Sequence, residues 1–160
     1  MDMFHVRQAS DGDFDEICAI EDASFSSPYP HHLVQRLLRE HSESFFVACD
    51  ESGKPVGYCV SDLDAKSAHV VSMAVLPSHR RRGIASAFLE NIISQAVVLG
   101  IEEIQLEVSL KNKEAVSLYR KFGFVELGVV SRYYPDGSGA LRMQLLLPNP
   151  TPRPVAREEG

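Results

Sequence analysis

Apolar positions change their spacing along this chain, and each change marks an element. Phe4-His5-Val6-Arg7-Gln8 alternates, which predicts a first strand. Ser10 or Asp11 can cap a following helix that carries Phe14, Ile17, Cys18 and Ile20 on one side. Pro28 and Pro30 forbid its continuation. Leu33, Val34, Leu37 and Leu38 then predict a short amphipathic helix. Strands are expected over 44–49 and 56–63, joined at Ser52-Gly53-Lys54 by a hairpin turn. Residues 68–75 are apolar at nearly every position, the pattern of a strand covered on both faces. Period-2 geometry would place His69 on one face with Val71, Met73 and Val75. Ile84, Phe88, Ile92 and Ala96 recur at four-residue spacing beside Leu89, Ile93 and Val97, a helix lying on a sheet and ended by Gly100.

Further on, Ile104, Leu106 and Val108 face one side of a strand, and Glu103, Gln105 and Glu107 the other. A helix over 112–122 precedes two last strands over 124–130 and 140–147, joined through Arg132-Tyr133-Tyr134-Pro135-Asp136-Gly137. The sum is an α/β domain over residues 1–148, a central sheet of about seven strands with about four helices. A proline-rich tail over 149–160 is expected to be disordered. The strand–helix–strand unit over 68–108 should hold parallel strands with a right-handed crossover. The turn after its first strand then lies at the carboxyl edge, where open α/β sheets hold ligands.

That turn reads Arg80-Arg81-Arg82-Gly83-Ile84-Ala85-Ser86. The first N–H groups of the helix have no intrahelical partner, and its dipole adds positive charge, so strand, basic turn and helix start make an anion site for a polyphosphate. Gly83 lets backbone approach such a ligand, and Ala85 is too small to block it. An arginine run by itself is commonly a solvated face. Net charge decides what kind of anion fits. At −6 the protein repels nucleic acid, so a local basic spot suits a small anionic ligand. Cys18, Cys49 and Cys59 are widely spaced and read as small core residues. His31-His32 lack a metal-ligand spacing, so no metal is expected. No apolar run is long enough for a membrane span and no signal peptide opens the sequence, which makes a cytoplasmic protein the expectation.

Arg80-x-x-Gly83-x-Ala85 within this order of elements resembles the GCN5-related N-acetyltransferase (GNAT) superfamily. A second block narrows the resemblance: Leu106-Glu107-Val108-Ser109, Asn112, Ala115, Leu118-Tyr119 and Gly123-Phe124. It is similar to the L-E-V-R-x-x-N-x-x-A-x-x-L-Y-x-x-x-G-F signature of protein N-terminal acetyltransferases, which include the bacterial ribosomal-protein alanine enzymes (RimI type) and archaeal and eukaryotic members. His69-Val70-Val71-Ser72-Met73-Ala74-Val75 is similar to the archaeal members, and Tyr133-Tyr134 resembles a peptide-gripping loop. The resemblance implies a GNAT fold with a mixed sheet and acetyl-coenzyme A (acetyl-CoA) as co-substrate. It implies cofactor contacts from Met73, Ala74 and Val75 to the pantetheine, from Arg80, Arg81, Arg82, Gly83, Ile84, Ala85 and Ser86 to the pyrophosphate, and from Asn112 and Tyr119. The acceptor would be a protein or peptide N-terminus, reached on the ribosome or on nascent chains, in a slot walled by Tyr29, Tyr133 and Tyr134. Two positions depart from the pattern. Ser109 replaces the signature arginine, and Ser27-Pro28 stands where some archaeal relatives carry a glutamate, which moves the burden of proton removal to Glu107 and His69.

The chemistry is undemanding for such an acceptor. Neutralising a peptide α-amine near pH 7.4 costs about 0.5–1 kcal/mol, a lysine about 4 kcal/mol. Glu107, on the face opposite the core residues, is read as the base, against a solvated strand carboxylate. Tyr119 is read as the acid towards the leaving sulfur, against a core aromatic beside Leu118 and Phe122. Asn112 is a helix cap, a cofactor contact, or both. His69 is either a second base and substrate contact or structurally satisfied. The leading expectation is N-terminal acetyl transfer by direct attack in a ternary complex. Two readings compete with it: a small-molecule amine or lysine acceptor, and a non-catalytic coenzyme A-binding module.

Overall fold

The computed structural model of the chain describes residues 3–148. The tail expected to be disordered at 149–160 lies outside the described residues. Elements run β1 (His5–Gln8), α1 (Phe14–Ser24), α2 (His31–Glu40), β2 (Phe45–Cys49), β3 (Pro55–Leu63), β4 (Ser67–Val75), α3 (Ile84–Val98), β5 (Glu103–Ser109), α4 (Lys113–Lys121), β6 (Val125–Val130) and β7 (Ala140–Leu146). The seven strands form one sheet in the order β1-β2-β3-β4-β5-β7-β6. Among the described residues only β4 and β5 pair in parallel; every other neighbouring pair is antiparallel, so the sheet is mixed as expected.

Each face of the sheet carries a core. On one, Ile84, Phe88, Leu89, Ile92 and Ala96 of α3 pack on Ala68, Val70, Ile104, Leu106 and Met143. On the other, Ile17 and Ile20 of α1 and Val34, Leu37 and Leu38 of α2 pack on Phe45, Val47, Tyr58 and Val60. Full burial of one such aliphatic or aromatic side chain contributes about 1.5–3 kcal/mol. Val97 leaves the expected stripe and is exposed. At about 100° per residue Ala96 stands over Leu89, whereas Val97 is turned roughly 80° away. Cys18, Cys49 and Cys59 are buried free thiols, as read from their patterns.

Gly57 of β3 brings α3 close. A Cβ there would sit 3.1 Å from the Ala74 carbonyl oxygen and 3.3 Å from Ile84 Cγ2. The helix's first turn therefore presses on the β3–β4 backbone, which fixes where its N-terminus stands.

Two features of β4 shape the middle of the sheet. Val60 pairs with Ser72 while Ser61 pairs with Val70, so Val71 is an extra residue, a β-bulge. The bulge resets the alternation and corrects the face expected from strict period 2. Met73 and Val75 pack towards the α3 core, whereas Val71 and Ala74 pack towards α1 and α2. The second feature is a wedge. Parallel pairing of β4 with β5 covers only Ser67, Ala68 and His69 against Glu103, Ile104 and Gln105. Beyond that the strands part, and β4 runs on to Val75 paired only with β3. Its β5-facing edge is open over Met73, Ala74 and Val75, where unpaired backbone groups can bond an extended ligand.

Candidate active site

His69 is the last residue of β4 paired with β5, and Glu107 is the first outward-facing residue of β5 past the split. Their side chains meet there: His69 Nε2 lies 2.6 Å from Glu107 Oε1. Arg142 of β7, directly opposite Glu107 in the ladder, donates from Nε to Oε2 at 3.0 Å. The Tyr133 hydroxyl, from the β6–β7 loop, donates to Oε1 at 3.3 Å. Glu107 is 8% exposed, while His69 and Arg142 are each 43% exposed and carry the cluster to the surface. Burial alone would raise the Glu107 pKa; the hydrogen bonds from His69 and Arg142 together outweigh it and hold the carboxyl below its ordinary value.

The three tyrosines expected to wall a slot gather around this carboxylate. Tyr133 and Tyr134 stack edge to face with ring centroids 4.9 Å apart. Their loop is closed by Gly137 N–H donating to the Tyr134 carbonyl at 2.9 Å and by Asp136, which accepts from the Ser138 amide and hydroxyl. Burial pushes the Tyr133 phenol up to about 12, and the Glu107 charge adds to it. Burial also raises Tyr29 and Tyr134, with the charges of Glu21 and then Glu107 adding at Tyr29 and that of Glu107 at Tyr134. Ser27 and Pro28 are exposed on the early loop.

Tyr119 of α4 is half-buried against the α3 core, its ring 5.8 Å from that of Phe124. Burial pushes its phenol well above the ordinary tyrosine value, with the neighbouring Cys59 and Tyr134 adding to the shift. Asn112 caps α4, its Oδ1 accepting from the Ala115 amide at 3.1 Å. Ser109, in the place of the signature arginine, accepts from the Lys111 amide and shapes the entry to that cap.

At the other end of the wedge, Gly83 forms the N-cap of α3 with φ of 88°, a left-handed conformation that favours glycine. A Cβ there would meet nothing within 4 Å, so the backbone conformation and not crowding calls for glycine. Ala85 and Ser86 are half-buried in the first turn, and Arg80, Arg81 and Arg82 are exposed around it. Arg80 donates from Nε to the Val75 carbonyl at 2.9 Å, tying the turn to the end of β4. Arg81 reaches Glu114 of α4 at 2.7 Å. An open strand edge therefore leads from a helix N-terminus ringed by arginine to a half-buried carboxylate–imidazole pair.

Residues 14–124 match the Acetyltransferase (GNAT) family. The chain belongs to that family. An N-alpha-acetyltransferase of Sulfurisphaera tokodaii is 35% identical over 153 residues, covering 88% of this chain and 91% of the relative. Among solved structures, Ard1 from Thermoplasma volcanium matches with a TM-score of 0.86 and 30% identity over 91% of this chain and 99% of that one. The NatC complex bound to Gag peptide and CoA matches with a TM-score of 0.84 and 26% identity, over 92% of this chain and 100% of that one.

Two groups in this GNAT chain escaped the sequence reading. Arg142 was visible only as one polar residue between Leu141 and Met143; its place opposite Glu107 depends on β7, not β6, lying next to β5. Glu21 is 2% exposed and sits in the buried stripe of α1. Its four-residue spacing from Ile17 was the available signal.

Proposed function

We propose that this GNAT protein acetylates the α-amine of a protein or peptide, taking the acetyl group from acetyl-CoA by direct attack. The observation that carries the reading is the His69–Glu107 pair at the mouth of the wedge, enclosed by Tyr29, Tyr133 and Tyr134. The activity named for the Sulfurisphaera relative supports it, as does the likeness to a NatC complex bound to a peptide and CoA.

Residues at the helix start, Gly83, Ile84, Ala85 and Ser86, would receive the pyrophosphate on backbone N–H groups, with Arg80, Arg81 and Arg82 supplying charge. Arg81 would exchange Glu114 for phosphate. The pantetheine would lie along the open edge of β4 at Met73, Ala74 and Val75, and past Asn112. The acceptor nitrogen attacks the thioester carbonyl, the C–N bond forms and the C–S bond breaks. The amine proton leaves to the His69–Glu107 pair acting as one unit. Both Glu107 oxygens are engaged, so the imidazole, more exposed and open to the slot, is the face of the pair that the proton meets. Glu107 orients that ring and stabilises its positive charge. Tyr119, held protonated by burial, donates a hydrogen bond to the sulfur as thiolate charge develops.

Coenzyme A release is the test, with peptides beginning Ser, Ala and Met against the same peptides acetyl-blocked but carrying an internal lysine, and against a polyamine. Turnover that requires a free peptide N-terminus is expected. Turnover on lysine or polyamine alone would move the acceptor to another class, and cofactor binding without turnover would favour a non-catalytic module.

A further inference from the structure

Glu21 belongs to none of the groups above. It is a carboxylate 2% exposed in the last turn of α1, bonded by a backbone N–H and a phenol. Oε2 accepts the Tyr29 backbone N–H at 2.8 Å, and Oε1 accepts the Tyr58 hydroxyl. The Tyr58 oxygen lies 2.8 Å from Ser72 Oγ on β4, the residue just past the bulge. Leaving a buried carboxyl oxygen without a hydrogen-bond partner is costly, so the two bonds to it are strongly held. Neither oxygen can reach an incoming amine, because both are engaged beneath the surface.

What the carboxylate does hold is the loop between α1 and α2. Residues Phe25, Ser26, Ser27, Pro28 and Pro30 around Tyr29 are all exposed, and two prolines remove donors that could anchor the segment otherwise. Tyr29 alone is half-buried, packed on the α1–α2 core. Its phenol lies in the fields of both Glu21 and Glu107. Fixing the Tyr29 amide therefore fixes how far its ring stands from the reacting pair.

We infer that Glu21 is the positioning residue of the acceptor slot: through the Tyr29 amide it sets the slot's inner wall, while its bond with Tyr58 only holds α1 on the sheet. This rests on the slot proposed above. The two hydrogen bonds have separable roles. The bond to Tyr29 governs acceptor binding, whereas the bond to Tyr58 ties α1 to the sheet and governs stability.

Steady-state kinetics with Glu21→Leu, Glu21→Gln and Tyr58→Phe tests this, using a peptide the wild-type protein turns over. Glu21→Leu removes the acceptor for the Tyr29 amide, and KM for the peptide should rise about tenfold, with KM for acetyl-CoA within about twofold. Glu21→Gln keeps one oxygen for that amide and an NH2 that can donate to the Tyr58 oxygen, so it should restore the peptide KM to within about threefold. Tyr58→Phe should lower the melting temperature yet leave the peptide KM within about twofold. An unchanged peptide KM in Glu21→Leu, equal rises in both KM values, or a matching rise in Tyr58→Phe would overturn the inference. Should Glu21→Leu fail to fold, amide exchange decides: the Tyr29 N–H of the wild-type protein should be protected against exchange, and rapid exchange there would equally overturn it. A wild-type protein that turns over no free N-terminus refutes the activity itself, a result distinct from any of these ratios.

Discussion

Asp13 and Glu107 are alike in exposure, in taking an arginine and in a lowered pKa, yet the proposed reaction uses only Glu107. Each side chain is 8% exposed, each takes an arginine, and each is held below its ordinary pKa. Asp13 is lowered first by its hydrogen bond from Arg7, against burial; Glu107 is lowered by His69 and Arg142, which overcome the larger effect of burial. The difference lies in where partners come from. Arg7 grips both Asp13 oxygens at 2.8 Å from six residues away, and the Ser10 amide adds a third bond from three away. That corner is closed within a single stretch of chain. Glu107 draws on β4, β7 and the β6–β7 loop, and its imidazole partner faces open space where β4 and β5 part. Burial and a shifted pKa therefore do not separate the two carboxylates; an exposed imidazole partner at a break in the sheet does, and on it rests the proposed role of Glu107.

Substitutions should separate the two. Glu107→Gln should lower turnover about 100-fold at pH 7, equivalent to ~2.7 kcal/mol, with the loss shrinking at high pH where the amine is already neutral. A small loss uniform across pH would remove Glu107 from proton transfer. Asp13→Asn should instead cost about 1–3 kcal/mol of stability, read as a lower melting temperature, with turnover within about twofold. Lost turnover without lost stability would erase the contrast. Its acid behaviour follows from the sign of the shift. A depressed carboxylate stabilises fully above its unfolded pKa, and that contribution fades as pH falls through the folded value. Wild-type stability should thus fall below about pH 4, and less steeply in Asp13→Asn. Tyr119→Phe should lower turnover about tenfold with little loss of coenzyme A binding; full activity would return this phenol to the core aromatics. Smallest, Arg82→Ala should raise KM for acetyl-CoA about fivefold, and an unchanged KM would take that guanidinium out of the phosphate site.

The same contrast explains what could be read in the sequence. Period and punctuation are local, so all seven strands and four helices were legible, down to the glycine that starts α3. The Asn112 cap was legible for the same reason. Strand order is not local. Without knowing that β7 lies between β5 and β6, nothing places Arg142 on Glu107. The bulge at Val71 was hidden too, because an extra residue in an apolar run leaves no trace in hydrophobicity. It altered the expected face of Met73 and Val75 while leaving His69 beside Glu107. Glu21 broke an apolar stripe and could have been noticed; what it holds could not, since Tyr58 lies 37 residues away.

Where the acetyl group lands tests the central claim most directly. A peptide with a free N-terminus and an internal lysine would be incubated with the protein and acetyl-CoA, and the product sequenced by mass spectrometry. The account requires acetyl on the α-amine alone, and strongly reduced product with Glu107→Gln. Acetyl on the lysine side chain, with the α-amine left free, would contradict it.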